Sequence, residues 1–214
     1  MKPFQNRTVS IFAACLVLSA CSSNPGIAQS SPNLAGPAGL PVVQGDIDFM
    51  SGMIHHHAQA VLIAGWAPSH GASEPIRLLT ERIVVGQNDE IALMSRWLQA
   101  HNQPVPESDT AYTHEMSGMG HSMPGMDMPG MLSTEQLAQL DSARGPEFDR
   151  LFLTFMLQHH KGAITMVDKL FGTEGAGQEE TTFRLASDIY ADQTTEIDRM
   201  QKMLDALPPG EHRP

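Results

Sequence analysis

Cysteine, basic charge and strand-like alternation are all scarce in this 214-residue chain. Its 2 cysteines, Cys15 and Cys21, lie close to the N-terminus. Everything beyond them lacks a thiol, so a cysteine zinc cluster, a thiol nucleophile and a disulfide framework are excluded together. Soft-metal chemistry in such a chain has to use methionine sulfur. Lys and Arg number 13 against 24 Asp and Glu, a formal net charge of -11. A surface of that sign repels nucleic acid, whose phosphates need basic residues to neutralise them, and it suits a cationic partner. No stretch alternates clearly between apolar and polar residues in the manner of a half-buried strand. The expected class is all-α.

The first 20 residues read as an export signal. Lys2 and Arg7 give a short basic flank, and an apolar stretch from Val9 to Ala20 follows, interrupted only by Ser10 and Ser19. It falls short of the ~20 apolar residues that a spanning helix needs and has the layout of a secretory leader. The stretch closes as Leu18-Ser19-Ala20-Cys21. Small residues before a cysteine resemble the bacterial lipobox, which makes Cys21 the expected lipidation site and first mature residue. Loss of the leader removes Lys2 and Arg7, leaving 11 basic residues against 24 acidic ones. Residues 21–44 are rich in Ser, Pro, Gly and Ala and read as a flexible tether, with a coil dimension of about 25 to 30 Å. The mature chain is expected to cross the inner membrane and to face the periplasm or cell exterior on its lipid anchor.

Four long helical patterns follow: Asp46 to Trp66, Ser73 (as N-cap) to about Ala100, Pro146 to Phe171, and Gln178 to Leu207. Gly and Pro residues punctuate their ends. A short helix at Thr134 to Ala143 opens with Ser133-Thr134-Glu135-Gln136, the pattern of a capping box. The chain also repeats itself. Asp46, Phe49, Met53, His56, His57 and Ala60 recur 103 residues later as Asp149, Phe152, Met156, His159, His160 and Ala163. Gln87, Glu90, Ile91, Met94 and Leu98 recur 106 residues later as Gln193, Glu196, Ile197, Met200 and Leu204. A duplicated helix hairpin predicts a four-helix bundle over residues 45–207, with a Met/His-rich segment between the hairpins at 101–133.

At about 100° per residue, Asp46, Met53 and His57 share one stripe of the first helix. Ala60 lies within that stripe, His56 falls at its margin, and His55 falls on the far side, towards water. The third long helix repeats the arrangement, with Gln158 in the slot of His55. On the partner helices, Gln87 and Met94, with Gln193 and Met200, face inward, and Glu90 and Glu196 stand at the margin. Burying these polar groups without partners costs several kcal/mol. Metal ligation removes that cost, and so does a purely structural hydrogen-bond network; the spacing leaves both open.

Between the halves runs His114 to Met131, which holds Met116, Met119, Met123, Met126, Met128 and Met131, six of the 14 methionines, with His114 and His121 among them. Its Gly and Pro content prevents a helix, so these side chains cannot form a core stripe, and the fold is expected to lose little without them. Thioether is a soft, neutral donor that suits Cu(I) and Ag(I) and binds hard ions poorly. The candidate metal ligands are these eight residues together with Met53, His56, His57, Met94, Met156, His159, His160 and Met200. Asp46, Glu90, Asp149 and Glu196 are expected to support them from outside the ligand shell.

These elements resemble the secreted domain-of-unknown-function 305 family. Its Asp, Phe, Met, His-pair and small-residue pattern is present as Asp46 to Ala60, and again from Phe148-Asp149-Arg150 to His159-His160-Lys161-Gly162-Ala163-Ile164. Its Gln-x-x-Glu-Ile-x-x-Met element is present at Gln87 to Met94 and at Gln193 to Met200. The resemblance implies a ferritin-like four-helix fold and, from some members, copper binding and copper resistance. Di-iron ferritins carry Glu-x-x-His on their helices, whereas the residues three after Glu90 and Glu196 here are Leu93 and Arg199, which argues against a di-iron centre. The expectation is a copper-binding envelope lipoprotein that takes Cu(I), and also Ag(I) or Cu(II), with a copper-transfer protein as a candidate partner. Two alternatives stand beside it: a metal-dependent oxidoreductase such as a cuprous oxidase, and a structural envelope lipoprotein with incidental metal affinity.

Overall fold

The structure, a computed structural model, describes residues 40–106 and 128–208. Cys21, most of the tether, and the stretch from His114 to Met126 lie outside the described residues. Among those described, five helices and no strand occur: α1 (Gln44–Gly65), α2 (Glu74–Ala100), α3 (Thr134–Ser142), α4 (Pro146–Gly172) and α5 (Glu180–Ala206). The fold is the all-α bundle that the duplication predicts. Helices α1 and α2 form one hairpin, α4 and α5 the other, and α1 packs against α4 where the hairpins meet. The short helix α3 lies against α4.

Local sequence sets the helix ends. In the capping box of α3, Ser133 Oγ accepts the Gln136 N–H at 3.3 Å and Gln136 Oε1 accepts the Ser133 N–H at 3.0 Å. Helices α2 and α4 carry Pro in their first turns, where a missing N–H costs nothing. Ser73 is the N-cap of α2, but its side chain makes no capping bond. Its N–H is instead held by Asp149 at 3.1 Å. The end of the expected tether is not loose, because Val42 and Val43 pack onto the core.

The core is divided along the helix axes. One apolar cluster gathers Ile63, Ile76, Leu79, Ile83, Phe148, Phe152, Met156 and Met200. The other gathers Phe49, Met53, Ile91, Met94, Leu98, Met166, Val167 and Ile189. In α1 the second cluster precedes the histidines and the first follows them; in α4 the order is reversed, so these helices run antiparallel. Between the clusters lies a polar layer formed by both halves: His56, His57, Gln87, Glu90, His159, His160, Gln193 and Glu196. Among the described residues no helix is long and apolar enough to cross a membrane.

Candidate metal centre

Each half supplies a histidine–carboxylate pair to this layer. His57 Nε2 lies 2.7 Å from Glu90 Oε2, and His160 Nε2 lies 2.6 Å from Glu196 Oε2. Both rings are fully buried, while the carboxylates reach the surface with 16% and 22% side-chain exposure. A neutral imidazole that donates Nε2–H to a carboxylate keeps a bare lone pair on Nδ1. The Nδ1 atoms of His57 and His160 are buried with no hydrogen-bond partner. A ring oriented by a carboxylate, with its other nitrogen free, is the usual state of a metal-binding histidine.

The inner histidines join the halves. The rings of His56 and His159 lie 3.9 Å apart between centroids, with His57 6.5 Å beyond one and His160 6.4 Å beyond the other. Four histidines from two helices thus form one row across the bundle. Burial lowers the His56 pKa to about 3, the neighbouring His57 adds to the shift, and the Pro129 carbonyl that accepts its Nε2–H opposes it. Burial, then His56 and His160, holds His159 well below its ordinary value, and the His56 backbone carbonyl opposes this only weakly. Neither ring nitrogen of His159 has a partner with hydrogen-bond geometry. Both rings therefore keep their lone pairs at neutral pH. Met53, Met94, Met156 and Met200 are fully buried in the clusters bordering this layer, with Met53 and Met94 on one side and Met156 and Met200 on the other. Gln87 is buried with both amide atoms unpartnered, and Gln193 with its carbonyl unpartnered. Among the described residues, no three His, Cys, Asp or Glu side chains gather as a group that could hold a metal ion.

Two placements differ from the sequence expectation. Asp46 and Asp149 stand at the ends of the bundle, about ten residues or 15 Å of helix from the histidines. Asp46 is fully buried, and its carboxylate accepts the Val43 N–H at 3.0 Å and the Gly177 N–H at 2.7 Å. Asp149 accepts the Ser73 N–H. Each hairpin thus ties down the connecting loop of the other, and neither acid supports the histidine row. His55 is the second difference. It does not face water: it is 7% exposed, and burial lowers its pKa. Residues 49–60 of α1 are all buried, so this helix is covered on every side there and has no solvent face. The angular reading assumed a one-sided helix, the usual condition for a stripe. In α4 the same slot holds Gln158, which is exposed.

The methionine segment also differs from expectation at its C-terminal end. Met128 to Met131 are half-buried against the bundle. The Pro129 carbonyl accepts the His56 Nε2–H at 3.0 Å. The Gln59 amide pairs with both backbone groups of Leu132, at 2.8 and 3.2 Å. Gly130 lies so close to Gly162 of α4 that a Cβ at either position would strike the other's backbone. Gly162 is legible as a glycine inside a helical pattern, where its cost of about 1 kcal/mol against alanine calls for a packing reason; Gln59 carries no such signal. His114, Met116, Met119, His121, Met123 and Met126 lie outside the described residues.

Among curated protein sequences, none matches this chain. Solved structures do. A DUF305 fragment from Deinococcus radiodurans is 26% identical, with a TM-score of 0.62, covering 78% of this chain and 99% of its own. A DUF305 protein of Streptomyces coelicolor, regarded as secreted, is also 26% identical, with a TM-score of 0.61 and coverage of 78% and 98%. CopM in its Cu(II)-bound form is 28% identical, with a TM-score of 0.57 and coverage of 75% and 95%. CopM has also been solved with Cu(I) and with Ag bound. The profile of the domain of unknown function DUF305 matches residues 46–204, both hairpins and the polar layer between them, and the chain belongs to that family.

Proposed function

We propose that this protein binds Cu(I), and Ag(I) by the same chemistry, as a cell-envelope lipoprotein that sequesters or transfers copper in copper tolerance. The observation that carries this reading is the duplicated histidine–carboxylate pair. His57 and His160 are buried and held by Glu90 and Glu196, and their Nδ1 atoms lack partners. Ligating nitrogens must be unprotonated, and the lowered pKa values of His56 and His159 meet that need. The thioethers of Met53, Met94, Met156 and Met200 border the same layer and supply the soft donors that Cu(I) favours. The Cu(I)- and Ag-bound forms of CopM support the same ion class. The segment from His114 to Met131, with its six methionines and two histidines, would capture ions, the bundle would hold them, and Cys21 would carry the lipid that keeps the protein at the membrane.

Anaerobic titration with Cu(I) against a chromophoric chelator tests the reading. The wild type should withdraw copper, and His57→Ala and His160→Ala should each weaken binding and shrink copper-induced thermal stabilisation. Equal copper affinity in all three proteins, with only apo stability reduced, would make the histidine pairs structural. Oxygen uptake on Cu(I) addition would instead indicate a cuprous oxidase.

A further inference from the structure

The chain re-enters the bundle beside a cavity that the histidine row does not use. This cavity, of about 380 Å³, is lined by Asp48, Phe49 and Gly52 of α1, Met166 and Lys169 of α4, and Met128 from the end of the methionine segment. Met128 is kept there by its neighbours in sequence, since Pro129 is bonded to His56 and Gly130 rests on Gly162. Met166 lies one helical turn beyond Gly162, so the contact that docks the segment also brings the two methionines to the lining of one cavity. Met166 is 6% exposed, whereas Met128 is half-buried. One methionine is thus fixed in the wall, and the other sits where the segment arrives.

We infer that Met128 and Met166 form a thioether seat for a soft monovalent cation, Cu(I) or Ag(I), separate from the histidine row. It rests on the reading of the cargo as a soft metal. The lining argues for that ion class. Hard divalent cations take six or more oxygen ligands, and here the cavity offers one carboxylate, Asp48, which also accepts a hydrogen bond from Gln44. Lys169 offsets the charge of Asp48, so the cavity gains little Coulombic pull on a divalent ion. Two neutral sulfurs bind a soft ion without needing net negative charge. The seat lies between the methionine segment and the histidines: Gly52 is one turn of α1 before His56, and the residue after Met128 is bonded to His56 itself. An ion taken from the segment at Met128 would enter the bundle there.

Titration of the full chain with Ag(I), which needs no redox control, tests the seat, with binding counted by native mass spectrometry and methyl-13C-labelled methionine followed by NMR. Met128→Leu and Met166→Leu should each lower the count by one ion, and the double variant should lower it by the same one ion. In the wild type the Met128 and Met166 methyl signals should move at the same equivalent. Met-to-Leu is nearly volume-conserving and usually tolerated in cores; should Met166→Leu fail to fold, the half-buried Met128 and the NMR signals still decide. A wild type that takes up no Ag(I) overturns the soft-metal reading itself. A wild type that binds Ag(I), with both variants retaining its full complement or with Met166 unmoved while Met128 shifts, overturns the seat alone.

Discussion

A carboxylate behind a histidine changes what the ring can do. Glu90 and Glu196 hold the Nε2 side of His57 and His160. They fix the ring orientation and the tautomer, which leaves Nδ1 as the free donor atom. Glu90→Gln and Glu196→Gln keep the shape and an acceptor oxygen but remove the charge. Each should lower Cu(I) affinity by about 10- to 100-fold, the usual effect of losing such a supporting group, with a change in apo stability below about 1.5 kcal/mol. Chelator competition and urea unfolding on the same samples give both quantities. An unchanged affinity would remove the carboxylates from any metal role.

The contact between the returning segment and α4 depends on the absence of two side chains. Gly162 and Gly130 meet backbone to backbone, and a methyl group at 162 would collide with the Pro129 carbonyl. Gly162→Ala should therefore push the Pro129–Gly130 turn away and strip the buried His56 Nε2–H of its acceptor, a loss of about 1 to 3 kcal/mol. The better helix propensity of alanine returns only about 1 kcal/mol of this. Gly86 is also inside a helix, but a Cβ there meets nothing within 4 Å. Gly86→Ala should stabilise the protein by about 0.5 to 1 kcal/mol. Opposite signs in denaturant unfolding are the expected result; two stabilising substitutions would show that the segment does not need the close approach.

For the molecule as a whole, the buried histidines make stability depend on pH. His56 is held at about 3 against an ordinary 6.5, and His159 also lies well below it. An unfolded chain takes up these protons near 6.5 and the folded core refuses them. Each contribution is complete above about pH 6.5 and shrinks as pH falls below it, for His56 until about 3, at about 1.4 kcal/mol per pH unit for each proton withheld. Urea midpoints should fall between pH 7 and pH 5, before most carboxylates titrate, and His159→Gln should flatten the slope. Identical midpoints across that range would mean that water or another group charges the row freely. At the same scale, Cys21→Ala should release the protein from the membrane or leave its precursor unprocessed. A variant that still fractionates with membranes as a mature, acylated species would exclude Cys21 as the anchor.

The sequence by itself determined the elements. Helical periodicity, Pro and Gly punctuation and the Ser133–Gln136 capping box are local, so helix identities and ends could be read from neighbouring residues. The duplication was equally legible, because repetition at 103 and 106 residues is independent of folding. It put both histidine pairs at matching depths and paired Gln87 with Gln193 and Glu90 with Glu196. The tertiary structure decided how the halves meet. Antiparallel packing of α1 against α4 turned two motifs into one row, with His56 on His159, and separated the methionines onto opposite sides of it. Asp46 and Asp149 share a helical stripe with the histidines, but a stripe records angle and not depth, and their depth assigned them to the loops of the opposite hairpin. His55 was misplaced because one helix cannot report how many neighbours will cover it. The docking of Met128 to Met131 escaped the sequence for a related reason: the partner of Gly130 is Gly162, and no local rule joins residues that only the completed bundle brings together.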